Sequence, residues 1–215
     1  MWLVVVFRKC GTIGSMTKLI CILAPIALAI PMFAAPLTQA DRDRAIAELT
    51  ASRQQFLDSV AGLSAAQWNF KPDEKTWSVA ECAEHIAVSE DVIFGIVTKQ
   101  VMQAPVTPDK KSAVTDDFVL TAVVNRTQKF QAPEILRPTH RFATPQETIE
   151  HFKQSRERTI AYVRDTQDDL RGHFFDHPVL KTLDGYQWIL LLSAHSQRHT
   201  AQLNEVKANA NFPKE

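Results

Sequence analysis

The stretch DGYQWILLLSAHSQRHTAQLNEVKA (Asp184–Ala208) decides the fold. Its apolar and imidazole side chains recur in steps of 4, 3, 4, 4 and 3 residues, which is the spacing of one face of an α-helix. The members of this face are Trp188, Leu192, His195, His199, Leu203 and Val206. Because His195 and His199 stand four residues apart, both imidazoles can reach one ion. The stretch therefore predicts a core helix that carries two metal ligands.

Three more helices with an apolar face are predicted before it. The first spans about Thr38–Gly62. The second begins at a capping box of Ser78 and Glu81, in which each side chain satisfies the other's free backbone N–H, and it runs to about Met102. The third opens at Thr144, which is followed by a proline at the first helical position. These four helices predict an all-α protein, a four-helix bundle.

The connection between the second and third helices is long. It covers the 42 residues Gln103–Thr144 and is expected to cross the bundle from end to end, with a short helix near Asp117–Phe130. Nothing after residue 40 alternates in the manner of a strand, so no sheet is expected. A second HxxxH pair, His173 and His177, is flanked by glycine and proline and is expected to lie in a loop.

His85 is the predicted third metal ligand. It stands on the inner side of the second helix, one residue before Ile86, and bundles build metal sites from facing helices. Buried imidazoles without partners are costly, and an ion would satisfy all three. One alternative adds Cys82, three residues before His85, to give a closed zinc site with no room for a reaction. Cys82 also fits an ordinary core position.

The other polar residues near the site are not predicted to be metal ligands. Glu84 turns away from the face of His85, and Glu84 and Glu90 are both expected to be solvated, as is His151. No carboxylate is therefore expected beside the histidines to serve as a general base. Gln202 is expected to be either a hydrogen-bond donor behind His199 or a polar edge of the helix.

Two segments resemble the signatures of a known family. TWSVAECAEHIAVSE (Thr76–Glu90) and HSQRHTAQL (His195–Leu203) resemble the DinB/YfiT-like metalloenzymes, and so does the link APEILRPTHRFATPQETIEHF (Ala132–Phe152). The resemblance covers most of the chain after residue 40. It implies an up-down-down-up four-helix bundle with one divalent metal ion held by three histidines, which fall on His85, His195 and His199.

The resemblance leaves the reaction open. Similar proteins include thiol S-transferases and isomerases that use small thiol cofactors, and a vacant ligand position suits a metal-dependent hydrolase or transferase. Three imidazoles can hold zinc, nickel, copper or iron, and we favour zinc or nickel. Two alternatives remain: a non-catalytic bundle that the metal stabilises, and a metal-free helical module whose long connection binds a partner.

Residues 1–40 have the features of an export signal. The apolar run Leu19–Ala35 is 17 residues long, follows Lys18 and ends in small residues, and Met16 is a candidate for the true start. Cleavage is expected after Ala34, Ala35 or Ala40. We expect an exported domain of residues 41–215, periplasmic or extracellular; the alternative is a membrane anchor formed by the uncleaved segment.

Composition excludes several classes of function. The chain has 215 residues, with 24 basic and 24 acidic side chains, and the part from Asp41 onward carries a net charge of −3. A nucleic-acid partner is not expected, since no basic stripe is present. Only 6 glycines occur, and neither GxGxxG nor a P-loop is found, which argues against nucleotide cofactors. We expect a small-molecule substrate and no membrane partner after cleavage, and the sequence leaves a homodimer open.

Overall fold

The structure, a computed structural model, describes residues 36–107 and 109–214. Its long helices are the four that the sequence predicts, so the bundle is confirmed. In this part of the chain the α-helices and strands are α1 (Gln39–Val60), α2 (Ala65–Asn69), α3 (Val79–Ile96), α4 (Asp116–Val124), α5 (Pro145–Asp165), β1 (Phe174–His177), β2 (Lys181–Asp184) and α6 (Gly185–Lys207). A π-helical turn, Val97–Val101, continues α3, and a 3-10 turn spans Glu134–Leu136.

Short polar side chains begin all four long helices. The N-cap residues of α1, α3, α5 and α6 are Thr38, Ser78, Thr144 and Asp184, and each accepts a hydrogen bond from a backbone N–H three residues further on. At α3 the predicted capping box is complete, because Glu81 also accepts from the backbone N–H of Ser78. These caps fix where each helix starts and so fix the register of the bundle.

Helix α1 packs against α5 and α6. It runs antiparallel to α5: Arg42, near its start, donates to the carbonyl oxygen of Val163 near the end of α5. It runs parallel to α6, because Ser193 donates to the carbonyl oxygen of Glu48 and Asn204, further along α6, donates to Ser59.

Helix α3 packs against the same two neighbours from the opposite side. It is antiparallel to α6, with His85 beside His199 and Glu90 beside Ser196. It is parallel to α5. The directions of the four helices are therefore up-down-down-up, and the connection that holds α4 crosses from one end of the bundle to the other, as predicted.

A buried ion pair lies at the centre of the bundle. Arg156 of α5 donates two hydrogen bonds to Glu90 at 2.6 and 2.8 Å, and the side chains are 0% and 1% exposed. Its other acceptors are the hydroxyls of Ser52 and Ser196 and the carbonyls of Leu49 and Leu192. We call this set the Arg156 network. The prediction that Glu90 is solvated is wrong, since the sequence does not reveal an arginine 66 positions away.

A two-stranded hairpin precedes α6, so the expectation of no strand is also wrong. Strands β1 and β2 are antiparallel, with Phe174 opposite Asp184 and His177 opposite Lys181. Each strand has four residues, too few for alternation to be visible in the sequence. The His173–His177 pair is thus not helical.

Within residues 36–107 and 109–214, no helix is both long enough and apolar enough to cross a bilayer. The predicted export signal, with its start and cleavage sites, lies outside the described residues, apart from the cleavage position after Ala40 at the start of α1.

Candidate metal centre

Three histidine side chains converge between α3 and α6. The Nε2 atom of His85 lies 3.3 Å from Nε2 of His195 and 3.2 Å from Nε2 of His199. One ligand atom from each ring lies within 4.8 Å of the other two. The structure therefore brings together the three histidines that the sequence singled out, and we call them the histidine cluster.

The spacing of the three nitrogens fits a single ion. Zinc–nitrogen bonds of about 2.0–2.1 Å in a tetrahedral arrangement place neighbouring nitrogens about 3.3–3.4 Å apart. The observed 3.2 and 3.3 Å separations agree with this geometry. Three nitrogen atoms are also a donor set that suits zinc, nickel, copper and iron.

The opposite nitrogens of two rings are held by neighbouring acceptors. Nδ1–H of His85 donates to the carbonyl oxygen of Leu136 at 2.8 Å, and Nδ1–H of His199 donates to Oε1 of Gln202 at 2.8 Å. With the proton on Nδ1, the Nε2 lone pair is free and points into the cluster. Gln202 therefore lies behind His199 as expected, but it accepts the hydrogen bond instead of donating it.

Burial favours the uncharged form of these rings. It lowers the pKa of His85, and it lowers the pKa values of His195 and His199 well below the usual value. The proximity of each ring to the others acts in the same direction for His195 and His199. Neutral imidazole is the form that binds a metal ion.

The local structure explains how the rings meet. His195 and His199 lie one turn apart on α6, and His85 projects from the second turn of α3, directly after the capping box. Trp77, next to the cap, covers the cluster: its ring centroid lies 5.0 Å from that of His85 and 6.4 Å from that of His199. An aromatic wall therefore stands beside the candidate ion position.

Neither the cysteine nor the nearby acids join the cluster. Cys82 is buried among apolar side chains, where burial raises the pKa of its thiol, and it is not part of the ligand group. Glu84 is 5% exposed and accepts from the backbone N–H of Thr139, so the prediction that it is solvated is wrong. In the described residues, the histidine cluster has no carboxylate ligand.

His151 lies outside the histidine cluster. His151 of α5, expected to be solvated, is 37% exposed but is not free. Its Nε2 lies 2.7 Å from Oδ2 of Asp91. Asp91 also accepts a hydrogen bond from Ser155 and pairs with Arg158, so His151 belongs to a surface network between α3 and α5.

Two arginines that the sequence analysis did not single out connect α6 to the segment after α4: Arg126 of that segment and Arg198 of α6. Arg126 donates to Gln202 at 3.3 Å and makes two hydrogen bonds to Glu205 at 2.7 Å. Arg198, 8% exposed, donates only to backbone carbonyls, those of Val123, Asn125 and Gln128. These contacts hold the connection between α3 and α5 against α6, the helix that supplies two of the three histidines.

A four-helix bundle with three convergent histidines defines the class of this protein. The family model described as the DinB superfamily matches residues 48–203, a span that contains the whole histidine cluster. The chain belongs to the DinB superfamily.

Two relatives from Bacillus subtilis agree with this assignment. The uncharacterized protein YuaE of strain 168 is 25% identical over 156 residues, which are 73% of this chain and 93% of YuaE. The solved structure of YfiT, a probable metal-dependent hydrolase with an unusual four-helix bundle topology, aligns with a TM-score of 0.52 at 15% identity. That alignment covers 82% of this chain and 91% of YfiT and supports the same fold.

Proposed function

We propose that this protein is a metal-dependent enzyme, a hydrolase or transferase of a small molecule, whose single divalent ion is held by His85, His195 and His199. The observation that supports it is the convergence of three imidazoles, with Nε2 of His85 3.2–3.3 Å from Nε2 of each of the other two. Similarity to YfiT in fold points the same way. Zinc and nickel are the ions we favour, because nitrogen ligands suit both.

The chain's own residues have separable roles in this proposal. The three imidazoles bind the ion, and Leu136 and Gln202 orient two of them by accepting their Nδ1 protons. Since three side chains leave a fourth position of a tetrahedral ion to substrate or solvent, the ion supplies Lewis acidity there. Trp77 packs beside the rings of His85 and His199 and would keep water from that side of the cluster.

Metal content is the first test. Purified protein, stripped with a chelator and refilled with zinc or nickel, is expected to hold about one ion per chain by inductively coupled plasma mass spectrometry. His85→Ala and His199→Ala should each lose it. His151→Ala is the matched control, because that histidine is bonded to Asp91, and it should keep the ion, as should Cys82→Ala. Retention of stoichiometric metal by His85→Ala would refute the proposed ligand set.

An accessible fourth position is the second test. Cobalt replaces zinc in such sites and reports its ligands through visible absorption. Titration of the cobalt form with azide is expected to shift the absorption bands in a saturable manner. A spectrum that azide leaves unchanged would mean that the position is closed, and the enzymatic proposal would fail.

A non-catalytic, metal-stabilised bundle is the second candidate. The observation that favours it is the lack of a carboxylate in the histidine cluster among the described residues, because hydrolysis commonly uses a general base. This candidate predicts metal-dependent stability without a response to azide. The two tests together therefore separate it from the enzyme.

We also propose that the domain works outside the cytoplasm. The support is the composition of residues 1–40, where Lys18 precedes an apolar run that ends in small residues. Fusion of residues 16–40 to alkaline phosphatase, which is active only after export, tests it in a bacterial host. N-terminal sequencing of the mature chain would locate the cleavage site, and an inactive fusion would overturn the proposal.

A further inference from the structure

A cavity of about 300 Å³ lies between the first turns of α3 and α5, and the metal proposal does not use it. None of the three cluster histidines lines it. The side chains that shape its interior are Trp68, Ala80, Glu84, Phe142 and Thr148. A volume of this size lies at the lower end of the range for small-molecule sites.

Glu84 gives the cavity its chemical character. The residue is 5% exposed, and its Oε1 accepts a hydrogen bond of 2.8 Å from the backbone N–H of Thr139. Its other oxygen, Oε2, has no hydrogen-bond partner within the described residues. Arg141 forms an ion pair with the other oxygen, its Nε lying 3.8 Å from Oε1. Oε2 is therefore the oxygen left to accept a hydrogen bond from a ligand, and the negative charge favours a ligand that brings a positive one.

The walls beside Glu84 favour the same kind of ligand. Trp68 is 6% exposed, and Phe142 is half-buried. Aromatic rings offer apolar contact, and their faces attract organic cations. Arg141 pairs with Oε1 only, and it also donates to Oγ1 of Thr139 and to the carbonyl oxygen of Ile135.

The rim of the cavity contains a strained residue. His140 has a φ of 57°, the left-handed conformation that residues other than glycine seldom adopt. It follows Thr139, so the hydrogen bond to Glu84 and the strained turn belong to one short segment. Strain of this kind clusters at binding and active sites. The same segment begins at Leu136, whose carbonyl oxygen accepts the hydrogen bond from Nδ1 of His85.

We propose that this cavity is a second binding site, for a small organic ammonium ion with an apolar body. The ammonium group would donate to Oε2 of Glu84, and the apolar part would lie against Trp68 and Phe142. This proposal goes beyond the metal centre and does not depend on it.

The test uses three probes of one size and shape that differ in charge. Benzylamine is a cation, benzyl alcohol is neutral and benzoate is an anion at neutral pH. Isothermal titration calorimetry of the full, metal-free chain is expected to give saturable 1:1 binding of benzylamine. The alcohol and benzoate should bind at least about tenfold more weakly, as expected for loss of a hydrogen bond between charged groups.

Two variants locate the site. Glu84→Gln removes the charge but keeps an acceptor for Thr139, and it should weaken benzylamine at least about tenfold. Ala80→Leu fills the cavity and leaves the carboxylate in place, so it tests the same site even if the first variant folds poorly. His195→Ala should bind benzylamine as the parent does, which separates this site from the metal centre. Equal binding of benzoate, or unchanged affinity in Ala80→Leu, would overturn the proposal.

Discussion

Two polar groups of side chains both use α3 and α6, and they differ in how they are satisfied. In the Arg156 network, the guanidinium finds a carboxylate, two hydroxyls and two carbonyls within the chain. In the histidine cluster, Nε2 of His85 lies 3.2–3.3 Å from the Nε2 atoms of His195 and His199, and the Nδ1 hydrogen bonds of His85 and His199 leave their Nε2 lone pairs facing one another. Because lone pairs do not satisfy each other, the first group is complete and the second is built for a ligand from outside.

The largest effect is expected from breaking the complete network. Glu90→Gln leaves a guanidinium buried without a counter-charge, which should lower the free energy of unfolding by about 3–5 kcal/mol. Urea denaturation of the metal-free protein measures it. The control Glu157→Gln breaks a surface pair with Arg53 and should cost less than about 1 kcal/mol. A change below 1 kcal/mol for Glu90→Gln would contradict our description of the network as a buried, mutually dependent pair.

Zinc should stabilise the fold through the histidine cluster alone. At a free concentration 100 times Kd, a ligand that binds only the folded state adds about 2.7 kcal/mol to the free energy of unfolding. We expect this increment in the parent, and His195→Ala should lose it. Comparing urea curves with and without zinc gives the value. If His195→Ala gained as much as the parent, zinc would be binding elsewhere.

A smaller effect is expected from changing Gln202, the hydrogen-bond partner of His199. Gln202→Ala removes the acceptor of the His199 Nδ1 proton, so the ring loses its fixed orientation, and zinc affinity should fall about 10- to 100-fold. Competition with a chromophoric chelator measures it. Gln197→Ala is the matched control on the same helix, because Gln197 bonds to Ser193 and not to a cluster histidine. Equal affinities in the two variants would show that Gln202 has no orienting role.

The smallest effect concerns a surface cluster at the far end of the bundle, where Arg171 bonds Asp41, Asp116 and Asp184. Burial acts to raise the pKa of Asp116, but Arg171 outweighs it and the pKa is lowered. Asp116 should therefore stabilise the fold above pH of about 4, and this contribution should disappear as pH falls through its lowered pKa.

The Asp116→Asn variant tests this sign. At pH 6 the parent should be more stable than the variant by up to about 1 kcal/mol, since the groups are partly exposed, and the difference should shrink as the pH falls towards 2. Urea curves at a series of pH values measure it. Asp117→Asn, whose carboxylate is 81% exposed, is the control. A gap that widened in acid would mean that the sign is wrong.

The contrast between the two groups also explains what the sequence could predict. Helical spacing and caps are local, so the long helices and the faces of His85, His195 and His199 follow from short stretches. The contacts of the Arg156 network join residues 36 to 107 positions apart, and no local pattern reveals them. This is why Glu90 was expected to be solvated.

Contacts to backbone atoms could not be predicted from the sequence either. The acceptor for His85 is the carbonyl oxygen of Leu136, and its position depends on the path of the crossover and not on its side chain. The hairpin before α6 was missed because its strands are short, and because Lys181 adopts a φ of 63° that its residue type does not suggest. Gln202 was placed correctly, but the direction of its hydrogen bond depends on the ring tautomer.

The parallel packing of α1 and α6 has a consequence for biosynthesis. Helices α1 and α6 are direct neighbours, and α6 also fills the space against α3, so α1 and α3 have no complete partner surface until α6 is made. On the ribosome, the growing chain must therefore wait for α6 before the interior can close. Removal of α6 would leave apolar surfaces of the other helices open to solvent, and the shortened chain should aggregate.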